Sequence, residues 1–227
     1  EHAQPMNAKA AIKSVMKFFV IGLFLTTTFS FGKEPGFRWL PGTLKTVYNP
    51  GREYYCYAPS VIVDGAGIEH VFACRNAEPN VIRDHIVEFA FKDNRAINPH
   101  IVFGHGESGT WDGYHICDPS IVAGTFRWND LTYHYALFYL GNNVNASRDN
   151  QVGVAFARTL DGPWKRWPAP VVACPPSGAW GAGQPSVVSD DHKGKLLLFY
   201  TISGMHHAEA RLRQLDFSDM SRPVIGD

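Results

Sequence analysis

The chain has 227 residues, enough for one substantial core or two small ones, and its 45% hydrophobic and 13% aromatic content reads as an ordered globular protein. Its 21 lysines and arginines balance 21 aspartates and glutamates. No basic run lies beyond the N-terminus, so nothing marks the chain for nucleic acid, and a neutral partner is expected.

Residues 1–32 read as a signal peptide with an upstream extension. Lys9, Lys13 and Lys17 precede a short apolar run from Phe18 that Gly32 closes, a charged and then apolar pattern that suits export better than a spanning helix of ~20 residues. Met6 is the natural start of such a signal, which leaves Glu1 to Pro5 as the extension. The expected location is secreted or periplasmic, with no stable membrane insertion after signal removal. Residues 33–53, with Pro35, Pro41 and Pro50, form an irregular lead-in holding at most one strand, around Thr43 to Tyr48.

From residue 54 a single grammar recurs. Ala58-Pro59-Ser60, Asp118-Pro119-Ser120 and Gln184-Pro185-Ser186 stand at intervals of roughly 60 to 66 residues, each followed by aromatic-rich apolar runs. In the first unit Asp64-Gly65 separates Ala58–Val63 from Ile68–Arg75, a hairpin signal, and the runs His85–Phe91 and Ile97–Phe103 complete four short strands. The second unit offers Asp118–Ala123, Leu131–Leu140, Val152–Arg158 and Pro170–Cys174. The third offers Gln184–Ser189, Lys195–Thr201, Ala208–Phe217 and Arg222–Ile225.

Repeated four-stranded units rich in aromatic and β-branched residues define an all-β propeller with blades at approximately 54–104, 114–175 and 181–226. The propeller domain, 54–227, is therefore partial. A sandwich would give similar strands but no repeat of this length. The first strand of each blade is expected innermost, with proline at its first position, where a missing N–H leaves no bond unmade. The residue before each proline then faces a common funnel, and the three blades form an open arc with an uncovered face after residue 185.

Among those three positions only Asp118 carries a carboxylate, which makes it the first candidate for chemistry. Cys56 and Cys117 sit beside equivalent repeat positions and are the cysteines expected to approach one another. Cys74 and Cys174 read as small buried hydrophobes, and none of the four has metal-ligand spacing.

The phrase Gln151-Val152-Gly153-Val154-Ala155-Phe156-Ala157-Arg158-Thr159-Leu160-Asp161-Gly162-Pro163-Trp164 resembles the third strand and following turn of a blade in the five-bladed propeller glycosidases, the arabinanases and β-xylosidases of glycoside hydrolase family 43. Asp118–Val122 and Leu197–Thr201 resemble blade-opening and second-strand phrases of the same group. The resemblance implies a five-bladed β-propeller, of which about three blades are present, and an exported glycoside hydrolase acting on polysaccharide or oligosaccharide.

It also implies inner-strand carboxylates in successive blades, one an acid and one a base or nucleophile. The first-blade position is Ala58, the second Asp118, and the third holds Gln184 after Gly183. One of three acidic roles is present, so the alternative is a non-catalytic carbohydrate-binding propeller. Asp118 is the catalytic candidate. Trp111 and His115, with Tyr114, would form a stacking wall, and Gln184 and Asn143 would bond sugar hydroxyls. Asp84, Glu78, Glu107 and Asp112 lie in segments that lead toward the funnel. No cofactor is expected beyond a structural calcium of the kind some relatives carry, and His206-His207 with Glu209 matches no strong metal motif.

Overall fold

The computed structural model describes residues 41–174, 178–204 and 207–226; the leader and His206 lie outside them. All strands among these residues belong to the unit Leu44–Asp227 and form three four-stranded antiparallel sheets without a helix. Blade I holds β1 (Cys56–Val63), β2 (Glu69–Asn76), β3 (Asp84–Lys92) and β4 (Arg95–Phe103). Blade II holds β5 (His115–Trp128), β6 (Leu131–Asn142), β7 (Gln151–Ala157) and β8 (Lys165–Arg166). Blade III holds β9 (Gly181–Ser189), β10 (Lys195–Ser203), β11 (Ala208–Asp216) and β12 (Val224–Ile225). Within each sheet the spatial order follows the chain, and β1 touches β5 as β5 touches β9. This is the propeller arrangement, with first strands innermost.

Local chemistry sets the hairpins. The carboxylate of Asp64 accepts the N–H groups of Ala66 and Ile68 at 2.9 and 2.8 Å. Asp191 does the same for Lys193 and Lys195 in the equivalent turn of blade III, so one side chain closes each first hairpin. Blade II turns instead on Asn129 and Asp130, both left-handed at φ 50° and 61°, the backbone that a tight hairpin demands.

The three proline phrases are built alike, and not as expected from their sequence. Each proline lies inside its strand at a β-bulge, where the register slips between Tyr57 and Ser60, between Cys117 and Ser120, and opposite Phe199–Thr201. The residue before each proline is left-handed: φ is 50° at Ala58, 47° at Asp118 and 51° at Gln184. A residue before proline ordinarily stays extended, and the left-handed region costs a non-glycine residue about 1–2 kcal/mol. Repetition of the same strain three times shows that the bulge is built into the blade, and bulges re-aim side chains.

A second repeated device joins the blades. The N–H of Ile121 in β5 donates to Ser60 Oγ of β1 at 3.2 Å, and the N–H of Val187 in β9 donates to Ser120 Oγ of β5 at 3.0 Å. The serines of the first two phrases thus fix the next blade's inner strand.

Two apolar layers fill the joints. Phe72, Ile86, Ile116, Leu137 and Tyr139 pack between blades I and II, while Phe138, Phe156, Leu196, Leu198, Tyr200 and Phe217 pack between blades II and III. The far side of blade III stays open, with Val188, Phe199 and Leu212 each more than 40% exposed.

Two expectations need correction. The fourth strand of blade II is Lys165–Arg166, and Pro170–Cys174 contributes only a bridge from Val172 to Val152, because Pro168 and Pro170 cannot donate to a ladder. Thr43–Tyr48, by contrast, agrees with its reading of at most one strand: it forms none, although Val47 accepts a bond from the Ala96 N–H. Cys117 forms a disulfide with Cys74, not a pair with Cys56. The blade I equivalent of Cys117 is Tyr57, one residue on from Cys56, and strand alternation puts that one-residue offset on the other face. Tyr57 pairs in register with Cys74, so the second strand supplies the partner.

Candidate functional site

The three bulges bring their residues to one place. A cavity of about 530 Å³ opens there, walled by Tyr57, Tyr114, His115, Asp118, Trp180 and Gln184, with Asn142 and Asn150 behind. Other hollows, beside Arg127–Thr132 and on the outer side of blade III, contain none of the Xaa-Pro-Ser residues.

Asp118 is held at the wall from three sides. Its N–H donates to Cys74 Sγ at 2.9 Å, its carboxylate lies 3.3 Å from Cys117 Sγ, and the carboxylate accepts the Gln184 N–H. Burial pushes its carboxyl above the usual range; the Gln184 bond opposes the shift and the nearby charge of Asp84 adds to it. A raised carboxyl at a cavity wall is suited to holding a proton or to donating a hydrogen bond to a hydroxyl.

Asp84 lies beneath. It is fully buried and accepts the hydroxyl of Tyr55 on one oxygen and that of Tyr57 on the other, the latter at 2.6 Å. Both tyrosines are held well above their usual range, first by burial and then by the bond to Asp84. The Asp84 N–H donates to His115 Nδ1 at 3.1 Å. The ring therefore carries its proton on Nε2, which sits 3.6 Å from Asp84 Oδ2, and burial holds His115 below its usual value against the pull of Asp84. His115 is thus a neutral donor on the cavity wall.

Of the residues expected at the site, Asp118, His115 and Gln184 line the cavity. Asn143 is exposed in the turn beside it, between lining residues Asn142 and Val144. Trp111 is elsewhere. Its ring stacks on Tyr139 at 5.7 Å and 16°, in space left by Gly141 and Gly153, where an added Cβ would come within 2.9 and 2.4 Å of the indole. Asp112 is spent on structure: it pairs with Arg166 at 2.9 Å and accepts the Tyr139 hydroxyl at 2.8 Å. Glu78 and Glu107 are exposed loop residues away from the cavity.

Sequence reasoning missed Tyr57 and Trp180 as walls. Tyr57 was legible as the neighbour of Ala58 in the first phrase. Trp180 stands immediately before β9 and gives no local sign of its direction.

Calcium takes six to eight oxygen ligands. Among the described residues the funnel does not assemble them, because the Asp84 oxygens are taken by tyrosine hydroxyls and Asp118 is flanked by the disulfide. Glu209 is engaged by Arg211, so the sequence cluster around His207 centres on an ion pair.

The blade fold has counterparts among solved structures. Over 72% of this chain and 53% of the other, it superposes on Zg3597, a family 117 glycoside hydrolase from the marine bacterium Zobellia galactanivorans, with a TM-score of 0.58 and 17% identity. It is similar to a thermostable family-43 glycoside hydrolase over 79% of this chain and 59% of that one, with a TM-score of 0.57 and 18% identity. A third is an α-L-arabinanase of Cellvibrio cellulosa complexed with arabinohexaose, with a TM-score of 0.51 and 16% identity over 77% of this chain and 58% of that one. The fold is that of the propeller glycoside hydrolases, and the chain spans little more than half the length of these relatives. No protein-family model and no curated protein matches it.

Proposed function

We propose that the chain forms the carbohydrate-binding funnel of a glycoside-hydrolase-like propeller and acts on an arabinan- or xylan-type saccharide, with Asp118 as the carboxyl set beside the sugar. The observation that carries this reading is the meeting of three like bulges at one cavity, where a half-buried carboxyl stands among Tyr57, Tyr114 and Trp180 and the side-chain amide of Gln184. Flat rings with polar neighbours suit sugars. The glycoside hydrolases of this fold support the reading, as does the complex of one with arabinohexaose. The Cys74–Cys117 disulfide supports export to a secreted or periplasmic location.

In this proposal Asp118 orients substrate or sets the proton affinity of a partner. Replacement by asparagine keeps the shape and removes the titration. The test is release of reducing ends from arabinan or xylan oligosaccharides together with calorimetric binding. Asp118→Asn is expected to lower kcat by roughly a hundredfold with the melting temperature unchanged; full turnover in that variant removes Asp118 from the mechanism.

A second reading, a funnel that binds carbohydrate without cleaving it, is favoured by Ala58 and Gln184, neither of which can exchange a proton at the two other bulges. It predicts calorimetric binding with no reducing ends released on long incubation.

A further inference from the structure

Away from the funnel, the outer part of the joint between blades I and II holds a group of side chains that the carbohydrate reading does not use. Glu88 of β3 is 3% exposed and faces blade II. His70 of the neighbouring β2 lies 2.7 Å from its Oε1, and on its other side Asp64 stands 3.4 Å from the His70 ring. His100 is directly opposite Glu88 on β4, with its Nδ1 3.6 Å from Glu88 Oε2. Asp161 comes across from blade II, in the turn that follows β7. One potential ligand atom from each of Glu88, His100 and Asp161 lies within 4.8 Å of the others.

Two features of this group ask for a cation. Buried carboxylates are paired or hold metals; Glu88 Oε1 is paired with His70 at 2.7 Å, whereas Oε2 has only His100 Nδ1, at 3.6 Å and beyond hydrogen-bond length. Three carboxylates also gather here, Asp64, Glu88 and Asp161, and among the described residues the basic side chains paired with them are the two histidines, His70 and His100. Imidazole with carboxylate oxygen is a ligand set for zinc, whereas calcium and magnesium prefer oxygen alone.

We propose that Glu88, His100 and Asp161 bind a structural zinc ion that fastens blade II to blade I. Glu88 is fixed by its burial and by His70, which orients the carboxylate from behind as partners of metal ligands commonly do. His100 and Asp161 are exposed; His100 Nδ1 also lies 3.0 Å from the Asn98 carbonyl, a contact it gives up, or a ring flip replaces, when the side chains close onto the ion with water completing a tetrahedron. The ligands lie far apart in the chain, at 88, 100 and 161, so no local spacing announces the site. The zinc fastens the outer part of the same joint that the Cys74–Cys117 disulfide fastens beside the funnel.

The test uses the full chain without a histidine tag, stripped of metal and titrated with zinc chloride by calorimetry and by thermal melting. One equivalent of zinc is expected to bind and to raise Tm by roughly 5–10 °C at a free concentration about a hundredfold above Kd. His100→Gln and Asp161→Asn, both at exposed positions that leave folding intact, are each expected to weaken binding by roughly tenfold to a hundredfold. The proposal is overturned by absence of binding, by zinc binding that both variants leave unchanged, or by a Tm rise with calcium or magnesium but not zinc.

Discussion

The two blade joints are made of different materials. Between blades II and III a large apolar layer that includes Phe138, Phe156, Leu198 and Phe217 is edged by hydrogen bonds to main-chain groups, from Ala182 to Asn150, from Met220 to Arg127 and from Arg213 to Val171, and by that from Val187 to Ser120 Oγ, with no disulfide and no ion pair across it among the described residues. The joint between blades I and II has a smaller apolar layer together with a disulfide, the buried Asp112–Arg166 pair, and the Asp84 network. The cavity adjoins the polar joint: Asp118 follows the disulfide cysteine directly, and His115 reaches Asp84 across the blades. Both joints are hydrogen-bonded, but only the one between blades I and II adds a covalent link and a buried carboxylate network, and these fix where one carboxyl points.

The largest effect is expected from cutting the polar joint. Replacing Cys74 and Cys117 together by alanine releases a cross-link spanning 43 residues, which loop-closure entropy values at about 4 kcal/mol. Denaturant unfolding checks this, and reducing agent is expected to destabilise the native chain alike while leaving the double variant unmoved. In the apolar joint, Leu198→Ala is expected to cost about 3 kcal/mol with Asp118 titrating as before, because Leu198 is fully buried but outside the polar network. If Leu198→Ala disturbs the Asp118 titration as much as the cysteine variant does, the two joints do not differ as described.

Ser120→Ala is expected to cost about 1 kcal/mol by leaving the Val187 N–H without its partner, measured by the same unfolding curves. The last prediction concerns pH. His85, beside His105 at 4.8 Å, is lowered to about 4, first by burial and then by the charge of His105. A histidine lowered on folding binds fewer protons in the native state, so its contribution is complete above pH ~6.5 and is lost as pH falls toward 4. His85→Asn is expected to flatten that part of the stability profile, measured by denaturant unfolding at a series of pH values.

The repeat of Xaa-Pro-Ser was enough to read an all-β propeller, because hairpin turns and alternation are local signals. It also pointed Asp118 and Gln184 at one cavity, since equivalent positions in successive blades must converge, while His115 was legible only as a neighbour in the segment leading to the second phrase. What depends on long-range geometry was not legible. Cys74 and Cys117 pair because of a one-residue offset between Cys56 and Tyr57. Trp111 carries the same composition signal as a sugar platform but is claimed by Tyr139 and two glycines. The left-handed bulge runs against the ordinary preference before proline, and only the repetition of the phrase hinted that something constrained it.

The central claim is that the three bulges aim their residues into a funnel that holds a saccharide. Backbone amide shifts of the isotopically labelled chain, followed while an arabino- or xylo-oligosaccharide is titrated in, test it most directly. The account predicts saturable shifts at Tyr57, His115, Asp118, Trp180 and Gln184, weakened in Asp118→Asn, with blade III residues such as Phe199 and Leu212 unmoved. Saturable shifts confined to the outer face of blade III, or none at the funnel with any saccharide tried, would contradict it.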